Sequence, residues 1–298
     1  MDVTLLLVGT GSGLSHSLYS AVSKLLLNRR IPNPFVLLLT INAVQAVITP
    51  AVWCFSPPGW PSAGGWAPLL AAAGTCTVAC FFLYAAFAGG DISSVMPMMG
   101  SKVIFSGLLA RVMIGEQHSL SIYLAAVLVA AAVAALSYSP RAGRPHGAAL
   151  KSACLMLASC AIFGLTDIYM RRSLRFVDPY SFMVYYNALL AFGSLLVIPY
   201  LRRARVPLRV GGGSLVLSLL AAAFLVAATS LFVVSFNLAG GVVVPNILMS
   251  TRGVFIVLIT AAMNSHGRLS LDRQSRGIYL LRFAASVAII FSVWLALS

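Results

Sequence analysis

Two bases stand where bases are costly. Lys102 lies twelve residues beyond Gly90 and Arg252 eleven beyond Gly241, each within an otherwise apolar stretch. At a 1.5 Å rise per residue both sit about 17 Å into a helix, the depth of a bilayer midplane. A cation there costs about 2.5 to 3.5 kcal/mol, so such residues face a bundle interior or an aqueous cavity and mark a solute path. The competing reading is a structural ion pair. The chain has only six acids, and Asp167 is the one clearly inside an apolar segment, so it cannot neutralise both bases. The chemistry this predicts is binding of an anion, with the hydroxyls of Ser101 and Thr251 directly preceding the bases. Asn42, Tyr185, Tyr186 and Asn187 also lie in apolar segments. Such groups stack on and hydrogen-bond a ring or sugar, or bond one helix to the next. His16 and Asp167 are the titratable groups placed to couple a solute to protons. Arg111 and Arg282 fall near helix ends, where long cationic side chains snorkel to the surface.

Other chemistries find no support. The four histidines are scattered without ligand spacing, and the five cysteines, Cys54, Cys76, Cys80, Cys154 and Cys160, lie in apolar segments with no paired metal-site pattern. Gly9-Thr10-Gly11-Ser12-Gly13 imitates a nucleotide loop but has no strand before it, and it reads as close helix packing. Ala88-Gly89-Gly90-Asp91 resembles an intramembrane aspartyl site without the second aspartate that chemistry needs. The expectation is a protein that is not an enzyme, with no cofactor and no metal.

The elements that carry these residues follow from composition. Of 298 residues 60% are hydrophobic and 9% charged, against about half and a quarter in soluble domains. This is the composition of an integral, multi-pass membrane protein. The net charge of +14 comes from short arginine clusters between apolar runs, the footprint of lipid headgroups and topology signals rather than of nucleic acid. The start lacks the basic region of a signal peptide, so the first apolar run is read as a retained span. Ten stretches of about 20 residues are expected to span the bilayer: 3–27, 34–54, 66–88, 93–114, 120–138, 147–170, 179–200, 214–239, 241–262 and 277–297.

An offset of about 150 residues aligns unrelated features of the two halves. Ala88-Gly89-Gly90 matches Ala239-Gly240-Gly241; Pro97 matches Pro245; Ser101-Lys102 matches Thr251-Arg252; and Asn42 follows Pro34 as Asn187 follows Pro179. The fold expected is all-α, ten transmembrane helices as two five-helix repeats, 1–139 and 140–298, within one membrane domain. Five is odd, so the second repeat enters inverted, and interrupted helices at matching places point to a solute site between the halves. Twelve basic residues lie in the 1–2, 5–6, 7–8 and 9–10 loops, while the opposite side has Arg171, Arg172 and Arg175. By the positive-inside rule the first group is cytosolic and both termini are outside.

In these features the chain resembles the drug/metabolite transporter superfamily of the EamA type. Residues 82–136 are similar to its repeat unit, with Tyr84, the Ala-Gly-Gly junction, Pro97 and then Gly115-Glu116 before an alanine-rich helix. Tyr185-Tyr186-Asn187 resembles the aromatic-Tyr-Asn motif of nucleotide-sugar transporters. Thr251-Arg252 falls where those proteins have Asn-Lys and where plastid phosphate translocators place phosphate-binding bases. The second Asn and the Lys are absent, and Asn264-Ser265-His266 replaces Gly-Glu after the ninth helix. The resemblance implies an alternating-access antiporter of a small, phosphate-bearing anion, of nucleotide-sugar or organophosphate type, with cytosolic termini against the loop-charge reading. Two alternatives stand beside it: a proton-coupled exporter of amino acids or other neutral metabolites, and a non-transporting scaffold or sensor.

Overall fold

In a computed structural model, residues 2–31, 33–51, 58–89, 96–117, 119–137, 146–208, 210–265 and 276–297 are described, and among them there is no strand. Gly90, Asp91, Cys54, Arg141, Arg144, Arg209, His266, Arg268 and Arg273, which entered the sequence reading, lie outside these residues. The helices are α1 (Val3–Arg29), α2 (Pro34–Ala51), α3 (Ala63–Gly89), α4 (Lys102–Ile114), α5 (Leu120–Ser137), α6 (His146–Ser173), α7 (Pro179–Ser194), α8 (Ile198–Arg203), α9 (Gly212–Ala239), α10 (Val243–Met249), α11 (Arg252–Ser265) and α12 (Arg276–Leu297). Helix is what an apolar chain must form where no water is available to its backbone, because every N–H is then satisfied within the segment.

The ends are set by local chemistry. Asp2 caps α1 by accepting from the N–H groups of Thr4 (2.9 Å) and Leu5 (3.4 Å). Asp178 caps α7, accepting from Tyr180 and Ser181, with Pro179 at the first helical position. Gly115 and Gly240 terminate α4 and α9 with φ of 66° and 67°, a left-handed turn in which a Cβ is strained.

Both suspected interruptions occur. A 3₁₀ segment, Met96–Ser101, precedes Lys102, and α10 stops at Met249 before α11 starts at Arg252. Each base is the first residue of a restarted helix, and at Arg252 the N–H groups of Gly253, Val254 and Phe255 are taken up by the carbonyls of Ser250 and Thr251 in the preceding turn.

Among the described residues, four stretches are long and apolar enough to cross a membrane: Ala63–Ala86, Leu150–Ser173, Pro179–Arg203 and Gly212–Ala239. Pro34–Thr49, Leu120–Ala132 and Val243–Ile259 are apolar but shorter. The segments outside this set include α1, which carries His16 among many serines, and the interrupted α4. Large apolar side chains such as Leu7, Val112, Phe192 and Leu196 point outward and are mostly exposed, an arrangement suited to lipid contact.

The most extensive helix pairs are α3 with α6 and α1 with α9, followed by α5 with α12, α4 with α6, α1 with α11 and α2 with α7. A serine fastens each of the first two pairs. Ser12 Oγ of α1 donates to the Ala228 carbonyl of α9 at 2.9 Å, and Ser159 Oγ of α6 donates to the Ala79 carbonyl of α3 at 2.8 Å. Glycines let α1 approach α10 and α11 closely. A Cβ on Gly9 would lie 2.6 Å from Leu248, and one on Gly13 would lie 2.6 Å from Thr251 Oγ1.

Candidate functional site

Between α1, α2, α3, α6, α7 and α9 lies a cavity of about 140 Å³, to which the restarted helices contribute Lys102 and Arg252. Its wall also includes His16, Asn42, Asp167, Tyr186 and Asn187. Seven of the ten residues singled out from the sequence therefore share one space. The other three do not line it. Ser101 Oγ donates to the Met98 carbonyl (2.7 Å) and Thr251 Oγ1 to the Leu248 carbonyl (2.7 Å), each folded back on its own chain. Tyr185 packs edge-on against Trp60 and Trp66, with centroids 5.8 and 5.5 Å away.

The two bases have different surroundings. Lys102 Nζ lies 3.1 Å from Asp167 Oδ1 and 3.0 Å from Oδ2, and 4.6 Å from the centre of the Phe232 ring. Asp167 Oδ2 also accepts from Ser106 Oγ (2.9 Å) and Asn246 Nδ2 (2.8 Å). Both ends of the ion pair are buried, at 5% and 2% exposure. A buried carboxylate that receives an ammonium, a hydroxyl and an amide is fixed in place. Arg252 is half-buried. Its carbonyl accepts from Ser17 Oγ at 2.9 Å, but among the described residues its guanidinium has no hydrogen bond and no ion pair. Asp167 acts on it only at longer range.

Around this charged floor the wall is a mixture of apolar and neutral polar groups. Tyr19 and Tyr84 bring their hydroxyls to 3.0 Å. Asn187 donates to Thr49 Oγ1 at 3.0 Å, and its own Oδ1, buried, accepts nothing. The sequence reading missed Tyr19, Gln45 and Tyr84 in the lining. Gln45 and Tyr19 stand three residues after Asn42 and His16, so helical spacing from a suspected site residue is the signal that finds them. Ser106, four residues after Lys102 on the same helix, carries the same signal, whereas Asn246 does not, because only the tertiary fold brings it to Asp167.

Towards α1's C-terminal end the cavity is lined by Lys24 and Leu27, with Leu37 and Leu38 from the start of α2. It therefore extends towards the end of the bundle that carries the Arg30 and Arg202-Arg203 loops. At the opposite end, side chains clasp backbone. Arg171 donates to the Gly240 carbonyl (2.8 Å), Arg172 donates to the Met113 carbonyl (2.7 Å), and Glu116 accepts from the Val242 N–H (2.9 Å).

The fold and site define an all-helical protein with membrane-length apolar helices around a mostly apolar cavity that carries bases. No known family profile matches the chain, and no curated protein matches it. It is similar to a solved structure described only as "Crystal structure of protein": 99% of this chain covers 97% of that one, at a TM-score of 0.71 and 17% sequence identity. That likeness is one of fold alone.

Proposed function

We propose that the chain is a multi-pass, alternating-access transporter that exchanges a small anionic metabolite, of the phosphate-bearing class that the sequence resemblance implies. The observation that carries this reading is Arg252, a cavity-lining base with no protein partner among the described residues. A planar guanidinium presents its donors as a fork that matches a phosphate or carboxylate in two-point contact. The free Asn187 acceptor suits a solute that also carries a hydroxyl or N–H.

The inverted repeat of ten spans belongs to the same proposal, and the packing supports it. Exchanging the first five expected spans with the last five turns the α3–α6 contact into α9–α1 and the α4–α6 contact into α11–α1, both of which are present. The same exchange turns the Ser12–Ala228 bond into the Ser159–Ala79 bond. A site between such repeats, reaching towards one end of the bundle and latched at the other, suits alternating access. The 140 Å³ cavity is close to the ~150 Å³ that admits benzene, so in this conformation it holds a small solute or the charged head of a larger one.

The test is counterflow in proteoliposomes against a panel of organophosphates, nucleotide sugars, carboxylates and amino acids. Accelerated exchange by an anion, abolished in Arg252→Gln, supports the reading. A second reading, a proton-coupled exporter of neutral metabolites, draws on the burial of Asp167 in the cavity wall; it requires uptake that follows an imposed pH gradient. Binding without counterflow would instead mark a scaffold or sensor.

A further inference from the structure

We infer that Asp167 sets the charge selectivity of the site, matching it to a solute group that carries a single negative charge. The inference rests on the anion-transport reading and adds what that reading leaves open, the number of charges accommodated.

The two bases are unequal. Ser12 and Ser159 make corresponding bonds to corresponding helices, 147 residues apart. The same offset pairs Ser20 with Asp167. Both line the cavity, but Ser20 turns its hydroxyl to the His16 carbonyl of its own helix at 2.8 Å. Lys102 therefore pairs with an acid whose counterpart in the other half, Ser20, is a neutral hydroxyl turned back on its own helix. Asp167 is not a loose neighbour of Lys102. Ser106 from α4 and Asn246 from α10 hold Oδ2 from two sides while the ammonium contacts both oxygens.

Two fixed cations and one fixed anion leave the floor with one uncompensated positive charge, at Arg252. Lys24 also lines the cavity, but it stands seven residues beyond Ser17, whose hydroxyl bonds the Arg252 carbonyl, and so about 10 Å further along α1. A monoanion at Arg252 makes the buried floor neutral. A dianion of the same shape brings a second negative charge into a poorly solvated space that already contains the Asp167 carboxylate, and like charges so placed repel strongly. Asp167 acts through Lys102 and through the net charge, without needing to touch the solute.

The experiment uses two benzene-sized probes of nearly equal shape, benzenesulfonate as monoanion and phenyl phosphate, a dianion at pH 8. Binding of each to the full chain in lipid nanodiscs is measured by calorimetry. Wild type should prefer the sulfonate by about tenfold or more, and Asp167→Asn, which exposes the Lys102 charge, should shift the ratio towards phenyl phosphate by about the same factor. The double substitution Lys102→Gln with Asp167→Asn returns the floor to one positive charge and should restore the sulfonate preference. A merely structural Asp167 has no reason to move that ratio in opposite directions. If both probes bind wild type through Arg252 with a ratio that neither substitution alters, the selectivity inference is overturned and the anion-site reading survives. If neither probe binds wild type, the anion-site reading falls and takes this inference with it.

Discussion

Lys102 and Arg252 entered as equivalent bases, and the structure gives them different work. Arg252→Gln removes an unpartnered donor fork, so anion affinity should drop about tenfold to a hundredfold, the equivalent of one charge-assisted hydrogen bond, with the melting temperature held. Arg252→Lys should keep part of the affinity as a point charge. Lys102→Gln strands Asp167 as a buried carboxylate without its cation, which costs about 3 to 5 kcal/mol. Thermal melting of the purified chain should register that loss directly, and a stable Lys102→Gln protein would refute the assigned pairing. That a single intramembrane acid could not serve two bases was legible from composition. Which base it serves was not, because the contacts fixing Asp167 join residues 61 to 79 positions apart. The two tyrosines show a similar limit. Consecutive helical residues point about 100° apart, so Tyr186 can face the cavity only by turning Tyr185 towards Trp60 and Trp66.

At the scale of elements, the proline pair announced breaks in two helices, and breaks are present. The helices restart at the bases themselves, five residues after Pro97 and seven after Pro245, an interval no local pattern encodes. The glycine run in α1 was read as a packing device, and its neighbours support that: Gly13 sits against Thr251 and the Arg252 N–H. Gly13→Val should overpack this crossing and cost about 1 to 3 kcal/mol, read as a lower melting temperature. The latch at the closed end was invisible in sequence, because Arg171, Arg172 and Glu116 bond to main-chain atoms, which every residue type supplies. Loosening it should alter rates more than affinities. Glu116→Gln gives up the charge on the acceptor of the Val242 N–H and should speed exchange in proteoliposomes while leaving anion affinity within about threefold, the loss of part of one charge-assisted bond. A Cβ on Gly241 collides with the same carboxylate, so Gly241→Ala should act in the same direction. Unchanged exchange in both variants would mean that the clasp has no part in gating.

For the whole molecule, composition alone predicts a helical membrane protein, and among the described residues four stretches meet the length and hydropathy of a simple span. Polar residues that line the cavity and interruptions that shape it lower the very signal by which spans are recognised. The halves are also interleaved: α3 packs along α6 and α1 along α9, so the principal contacts run between residues 1–139 and 140–298. A chain divided between Ser137 and His146 should accordingly assemble when both parts are co-expressed, and neither part should survive alone; pulse-chase labelling of the fragments checks this. The Lys102–Asp167 bond carries the same interleaving into biosynthesis. Sixty-five residues separate the two partners, and at ribosomal speeds of roughly 5 to 20 residues per second the lysine waits about 3 to 13 s for its acid. On the proposed ten-span topology, the nascent first half holds an unmatched ammonium inside lipid during that interval. Its survival then depends on how quickly α6 follows it out of the ribosome, so slow codons between the two would mark the chain for membrane quality control.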